Sequence, residues 1–113
     1  MHLTPQGTGW IEVVTGCMFS GKTEELIRRL VRARYAKQEV RIFKPCIDNR
    51  YSEDEIVSHN RMSLRCHVVE TAEDVWRLGQ GVQVIAVDDV QFFGPSIVPV
   101  VESLANSGSR VLV

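Results

Sequence analysis

The segment Gly16-Cys-Met-Phe-Ser-Gly21-Lys22-Thr23 constrains this chain more than any other. It fits G-x-x-x-x-G-K-[ST], and its surroundings fit as well. The preceding WIEVVT (Trp10 to Thr15) is apolar and β-branched and reads as a short buried strand. The residues from Thr23 to about Lys37 follow a helical period. A strand, a glycine-bounded loop and a helix are the context in which this motif binds phosphate. The glycines let backbone N–H groups curl around phosphate oxygens, and the helix N-terminus adds a favourable dipole. Lys22 would reach the β- and γ-phosphates, and the Thr23 hydroxyl would bind magnesium. An ordinary strand-to-helix turn explains the glycines but not Lys22 and Thr23 together. The expected cofactors are therefore ATP and Mg2+, bound by Gly16, Cys17, Met18, Phe19, Ser20, Gly21, Lys22 and Thr23.

The rest of the chain supplies a matching frame. In the helix, Leu26, Leu30 and Ala33 share one stripe, widened by Ile27 and Val31. Arg28, Arg29, Arg32, Arg34 and Lys37 are expected on a solvated outer face. EVRIFK (Glu39 to Lys44) reads as a strand ended by Pro45, and Cys46 to Asn60 as a long polar loop. Such loops are usually functional or mobile. RCHVVE (Arg65 to Glu70) predicts a short strand. Thr71 to Gln80 predicts a helix with Thr71 as N-cap and Asp74 completing a capping box. QVIAV (Gln83 to Val87) predicts a strand buried on both faces. Ile97 to Ser107 predicts a helix closed by Gly108, and RVLV (Arg110 to Val113) a last strand. Strands alternating with helices imply a parallel α/β sheet flanked by helices, of the P-loop NTPase kind. The expected division is a flexible arm over 1–8 and one nucleotide-binding domain over 9–113.

Composition narrows the class. The 113 residues carry a net charge of -1, which offers no general electrostatic attraction for nucleic acid or an anionic membrane. No run reaches the roughly 18 apolar residues of a membrane span. Met1 to Gly9 lacks the basic start and apolar core of a signal peptide, so a cytoplasmic location is expected. Cys17, Cys46 and Cys66 are odd in number and lack C-x-x-C spacing, which argues against a disulfide framework or a zinc site. Cys66 and His67 are adjacent on a strand and point to opposite faces, a poor metal pair.

A second chemical motif is Val84-Ile-Ala-Val-Asp88-Asp89, an apolar strand ending in two acids. One carboxylate at such a tip holds magnesium through its water shell, and Asp88 is assigned that role. The second can act as a general base at the reacting centre.

From Cys17-Met-Phe-Ser-Gly-Lys-Thr23 onward the chain resembles a particular family, the cytosolic type II thymidine kinases, whose loop reads G-P-M-F-S-G-K-[ST]. The likeness continues in Lys44-Pro-Cys-Ile-Asp-Asn-Arg-Tyr-Ser52, Ser58-His59, Asp88-Asp-Val-Gln-Phe-Phe93 and Leu104-Ala-Asn-Ser-Gly108. The blocks follow the family's order from residue 9 to the end. The resemblance implies transfer of the γ-phosphoryl of ATP to the 5′-hydroxyl of thymidine or deoxyuridine, in nucleotide salvage. It implies catalytic roles for Asp89, Lys22 and Arg50, with Asp89 standing where the family has a glutamate that deprotonates the hydroxyl. It implies substrate contacts from Met18, Asp48, Arg50, Gln91 and Phe92, and magnesium held by Thr23 and Asp88. A small-molecule nucleoside is the expected partner, with a homotetramer or homodimer as the expected assembly and no nucleic acid or membrane.

Three departures from the family pattern carry expectations of their own. Asp89 is one methylene shorter than glutamate, and displacing a base by about 1 Å can cost on the order of 10²-fold in rate. Cys17 and Cys46 stand where the family has proline and alanine, and a thiol beside Lys22 is expected to ionise more readily. The family's zinc-binding segment and the loop that covers thymidine have no counterpart up to Val113. Zinc thus belongs to the family, but no zinc ligands are assigned in these residues. Two other readings remain open. Asp88-Asp-Val-Gln-Phe-Phe93 also looks like the strand tip of replication-initiator ATPases, which hydrolyse ATP with water. A nucleotide-binding fragment without turnover is the third.

Overall fold

The computed structural model describes residues 9–14, 22–46, 55–57 and 63–113. In chain order the elements are β1 (Trp10–Glu12), α1 (Lys22–Tyr35), β2 (Val40–Pro45), β3 (Glu55–Val57), β4 (Ser63–Arg65), β5 (His67–Val69), α2 (Ala72–Gly79), β6 (Val84–Val87), a 3₁₀ segment (Val90–Ser96), α3 (Ile97–Asn106) and β7 (Arg110–Leu112). The expected 1–8 arm lies outside the described residues.

Five strands form one parallel sheet in the order β1-β7-β6-β2-β5. Strand alternation then sorts the core into two layers. Val84 and Ala86 of β6, Ile42 of β2 and Leu112 of β7 face α1, where Leu26, Ile27, Leu30 and Ala33 meet them. Ile85 and Val87, Phe43 and Val111 face the other way, onto Val75 of α2 and Val101 and Leu104 of α3. The handedness of parallel crossovers explains the split. The step from β1 to β2 runs across the sheet in one direction, with α1 as its crossover. The steps from β5 to β6 and from β6 to β7 run back, so α2 and α3 must cover the opposite face. All four residues of β6 are buried, as the unbroken apolar run requires.

Local chemistry sets the element ends. α1 carries Glu24 and Glu25 in its first turn and Arg32 and Arg34 in its last, each complementing the helix dipole. It stops at Tyr35, short of the expected Lys37, because Lys37 turns left-handed at φ 61° and Gln38 N–H donates back to the Ala33 carbonyl at 3.1 Å. The capping box of α2 is present. Asp74 N–H donates to Thr71 Oγ1 at 3.3 Å, and Thr71 N–H donates to Asp74 Oδ2 at 3.3 Å. Gly108, at φ 106°, follows the end of α3. Gly9 has a packing reason to be glycine. A Cβ there would sit 1.8 Å from the Ser109 carbonyl oxygen, and its N–H donates to the Ala105 carbonyl at 3.0 Å.

Besides the shorter α1, the first strand ends at Glu12 rather than Thr15 and is not buried as expected, since it lies at the sheet edge with Ile11 41% and Val13 62% exposed. Two further features differ from the sequence expectation. Within the polar stretch after Cys46, β3 pairs antiparallel with β4 as a separate two-stranded sheet. The expected strand from Arg65 divides into β4 and β5 on either side of Cys66. Strands of three residues are too short for a period-two pattern to register. The second is the 3₁₀ segment at Val90–Ser96, where the sequence predicts no element. No helix among the described residues is long and apolar enough to cross a membrane.

Candidate functional site at the carboxyl edge of the sheet

Because all five strands are parallel, their carboxyl ends share one edge. β1 leads there into the glycine motif, and α1 leads away from it, opening with Lys22 and Thr23. β1 leaves toward one face of the sheet and β6 toward the other. In such sheets ligands bind outside the carboxyl ends of the strands, where the connections change sense.

Asp88 sits at the tip of β6. Its N–H donates to the Phe43 carbonyl at 2.9 Å, which extends the β2–β6 ladder one step beyond the strand. The residue is half-buried. Asp89 follows in the left-handed conformation at φ 50°, ψ 42°. That conformation is uncommon outside glycine, and aspartate is among the residues that adopt it most readily. It reverses the chain direction, and the Asp89 carbonyl accepts from Phe92 N–H at 3.0 Å to start the 3₁₀ turn. The two acids are therefore placed differently. Asp88 continues the sheet, while Asp89 stands on a turn whose backbone is locked by the segment behind it. Phe93 anchors that segment by packing against the α2/α3 layer, and Phe92 is 59% exposed.

The strand order sets the spacing. β7 lies between β1 and β6, so the carboxyl ends of β1 and β6 are two strand spacings apart, about 10 Å. β2 flanks β6 on the other side and ends at Pro45. Cys46 N–H then donates to the Val69 carbonyl at 2.8 Å. The segment bearing Asp48 and Arg50 thus departs from the strand next to Asp88. The carboxyl ends of β1, β2 and β6, far apart in sequence, thus share one edge.

On the α3 side of this edge runs an apolar groove of about 380 Å³, lined by Ile11, Val90, Gln91, Ile97, Val101 and Val113 among others. Of the expected substrate residues, Gln91 lines this groove and Phe92 does not. Asp88, Asp89, Gln91 and Phe92 share one turn. Gly16, Cys17, Met18, Phe19, Ser20, Gly21, Asp48 and Arg50 lie outside the described residues. Cys66 is buried against α1 and His67 is exposed, in keeping with their opposite facings.

The sequence reading missed one cluster beside the site. Arg29 is not a solvated cation. Its Nε donates to Glu25 Oε1 at 2.9 Å, and its Nη1 lies 4.0 Å from Glu12 Oε2. Arg110 closes on the same Glu12 with two hydrogen bonds, at 2.9 and 3.1 Å. Spacing within each element gives no hint of contacts made across three elements.

A family model described as thymidine kinase matches residues 9–113. That match spans both sheets and the three α-helices among the described residues. The chain belongs to the thymidine kinase family.

Proposed function

We propose that the chain transfers the γ-phosphoryl of ATP to the 5′-hydroxyl of a pyrimidine deoxynucleoside, thymidine or deoxyuridine. The observation that carries this reading is the Asp88-Asp89 turn at the tip of β6, beside the strand that leads to Asp48 and Arg50. One acid for the metal and one for the acceptor proton are what a kinase of this type needs. Membership of the thymidine kinase family supports the acceptor.

The donor set fits magnesium. Among the described residues no group of three or more His, Cys, Asp or Glu could cage a metal. Magnesium needs no such cage, since it commonly takes one or two carboxylates and completes its shell with water and nucleotide phosphates. Asp88, with the Thr23 hydroxyl, would hold it. Bound there, the ion would neutralise charge on the transferring phosphoryl group.

The remaining work falls to the chain's own residues. The glycine loop and the N-terminus of α1 bind the phosphates through backbone N–H groups. Lys22 and Arg50 stabilise the charge that spreads over the transferred group. Asp89 accepts the proton of the 5′-hydroxyl. Gln91 and Phe92, on the same turn, orient the nucleoside. Catalysis is then chiefly positioning and electrostatics. Nucleotide salvage, a cytoplasmic location and a homotetramer or homodimer follow from the family reading.

The test is ADP release from ATP and magnesium, with and without thymidine. Release that requires thymidine supports the kinase. Equal release in both tubes refutes it in favour of an ATPase acting on water. ATP binding with no release in either tube identifies a nucleotide-binding domain without turnover.

A further inference from the structure

The half-buried charge cluster on the α1 face of the sheet has a definite place relative to the glycine loop. Glu12 is the last residue of β1, the strand that enters the loop. Arg29 is on α1, the helix that leaves it. Arg110 opens β7, the strand paired with β1. The carboxylate of Glu12 lies between the two guanidinium groups, held by Arg110 at 2.9 and 3.1 Å and approached by Arg29 to 4.0 Å. Arg29 is itself fixed at 2.9 Å by Glu25, which also accepts from Arg28. Arg110 is seated over the Trp10 ring, with 6.0 Å from its Cζ to the ring centroid. Glu12 and Arg110 are each only 23% exposed, so solvent screens them less than ordinary surface pairs.

We propose that Glu12 is a positioning residue for the nucleotide site, joining the strand that enters the phosphate loop to the helix that leaves it. The proposal rests on the nucleotide-binding reading above. β1 is an edge strand of three residues, paired along one side with β7 and hydrogen-bonded through its backbone to the flanking Ser109 and Val113. Those bonds fix β1 to the sheet and leave its distance from α1 to side chains. The Glu12–Arg29 pair is the charged link across that gap. The cluster holds three guanidinium groups and two carboxylates. Removing the Glu12 charge leaves Arg110 and Arg29 facing one another without an anion between them, and strand and helix repel. Phosphate affinity then falls, because the chain between residues 12 and 22 is tethered to both elements.

The experiment measures MgATP binding by calorimetry and thymidine KM for the wild type, Glu12→Gln, Arg29→Gln, Arg29→Lys and a remote control, Arg41→Met. Arg29→Gln leaves the Glu12–Arg110 pair and its strand contact intact, so it cuts the strand-to-helix link without loosening β1. The control removes the bond from Arg41 to the Leu78 carbonyl at 2.6 Å, toward the amino ends of the strands. We expect the Kd for MgATP to rise about tenfold in Glu12→Gln and about threefold in Arg29→Gln. It should recover in Arg29→Lys and stay at the wild-type value in Arg41→Met, with thymidine KM unchanged throughout. Wild-type affinity for MgATP in both Glu12→Gln and Arg29→Gln overturns the proposal. So does a parallel loss of thymidine affinity, which marks general loosening. A wild-type protein that binds no MgATP removes the nucleotide-binding reading itself.

Discussion

Replacing Asp89 by glutamate should move activity and stability in opposite directions. In the proposed mechanism the side chain at this position reaches the acceptor hydroxyl, and the structure places the residue on a left-handed turn at φ 50°, ψ 42°. Glutamate is longer by one methylene, about 1 Å of extra reach. A base brought that much closer to its proton can gain on the order of 10²-fold in rate, equivalent to about 2.7 kcal/mol of barrier. The backbone opposes the change. Aspartate is several-fold enriched in the left-handed region over most side chains, which corresponds to about 1 kcal/mol. With an unfolding entropy of about 2.1 cal/mol/K per residue, 1 kcal/mol lowers the Tm of a 113-residue domain by about 4 °C. Asp89→Asn supplies the complement. Asparagine keeps the left-handed preference but cannot take a proton, so Tm should hold while turnover falls to background. The assay is thymidine-dependent ADP release alongside a calorimetric melt of each variant. An unchanged rate in Asp89→Glu, or full activity in Asp89→Asn, would refute Asp89 as the base. A raised Tm in Asp89→Glu would refute the backbone argument.

Other expectations are more direct. Lys22→Ala should abolish phosphoryl transfer with the far-UV circular dichroism spectrum intact, and retained activity would overturn the site assignment. Gly9→Ala drives a methyl group into the Ser109 backbone, and the overpacking should cost about 3 kcal/mol, read from urea melts. A change under about 0.5 kcal/mol there would mean the N-terminal approach to α3 is not a fixed contact. Acid should weaken the fold through two carboxylates. A hydrogen bond from Arg29 chiefly holds Glu25 below its ordinary pKa, and one from Arg77 chiefly does so for Asp74. A depressed native pKa means stability present above the ordinary carboxylate range of about 4 and lost as pH falls through the lower native value. About a third of each side chain meets solvent, so the effect should be small and should shrink with added salt. A denaturation midpoint in Glu25→Gln/Asp74→Asn that falls with acid as steeply as the wild type's would exclude these two as the cause.

Much of the architecture was readable before any coordinates. The apolar stripe of α1, the Thr71–Asp74 capping box and the unbroken run of β6 are local signals, with both partners within a few residues. The short β3–β4 pair and the 3₁₀ segment were not readable, because elements of three residues or of irregular turns leave no period in the sequence. At the candidate site the split is similar. Asp88 and Asp89 stand out as acids ending an apolar strand. Their different backbone states do not, since an aspartate with positive φ and one without are spelled alike.

The sequence by itself determined that the chain alternates strand and helix, that a phosphate-binding motif follows the first strand, and that two acids end a later one. It could do so because hydrophobic period, capping and glycine placement act over a few residues. Tertiary structure alone decided which strands are neighbours. By inserting β7 between β1 and β6, it set the carboxyl end of β1 about 10 Å from that of β6, which bears Asp88, and it placed β2 directly beside β6. It also turned Arg29 from a solvated cation into a link between α1 and β1. Strand order and cross-element ion pairs depend on residues nearly a hundred positions apart, as Glu12 and Arg110 are, and only the closed sheet brings such residues within a hydrogen bond of each other.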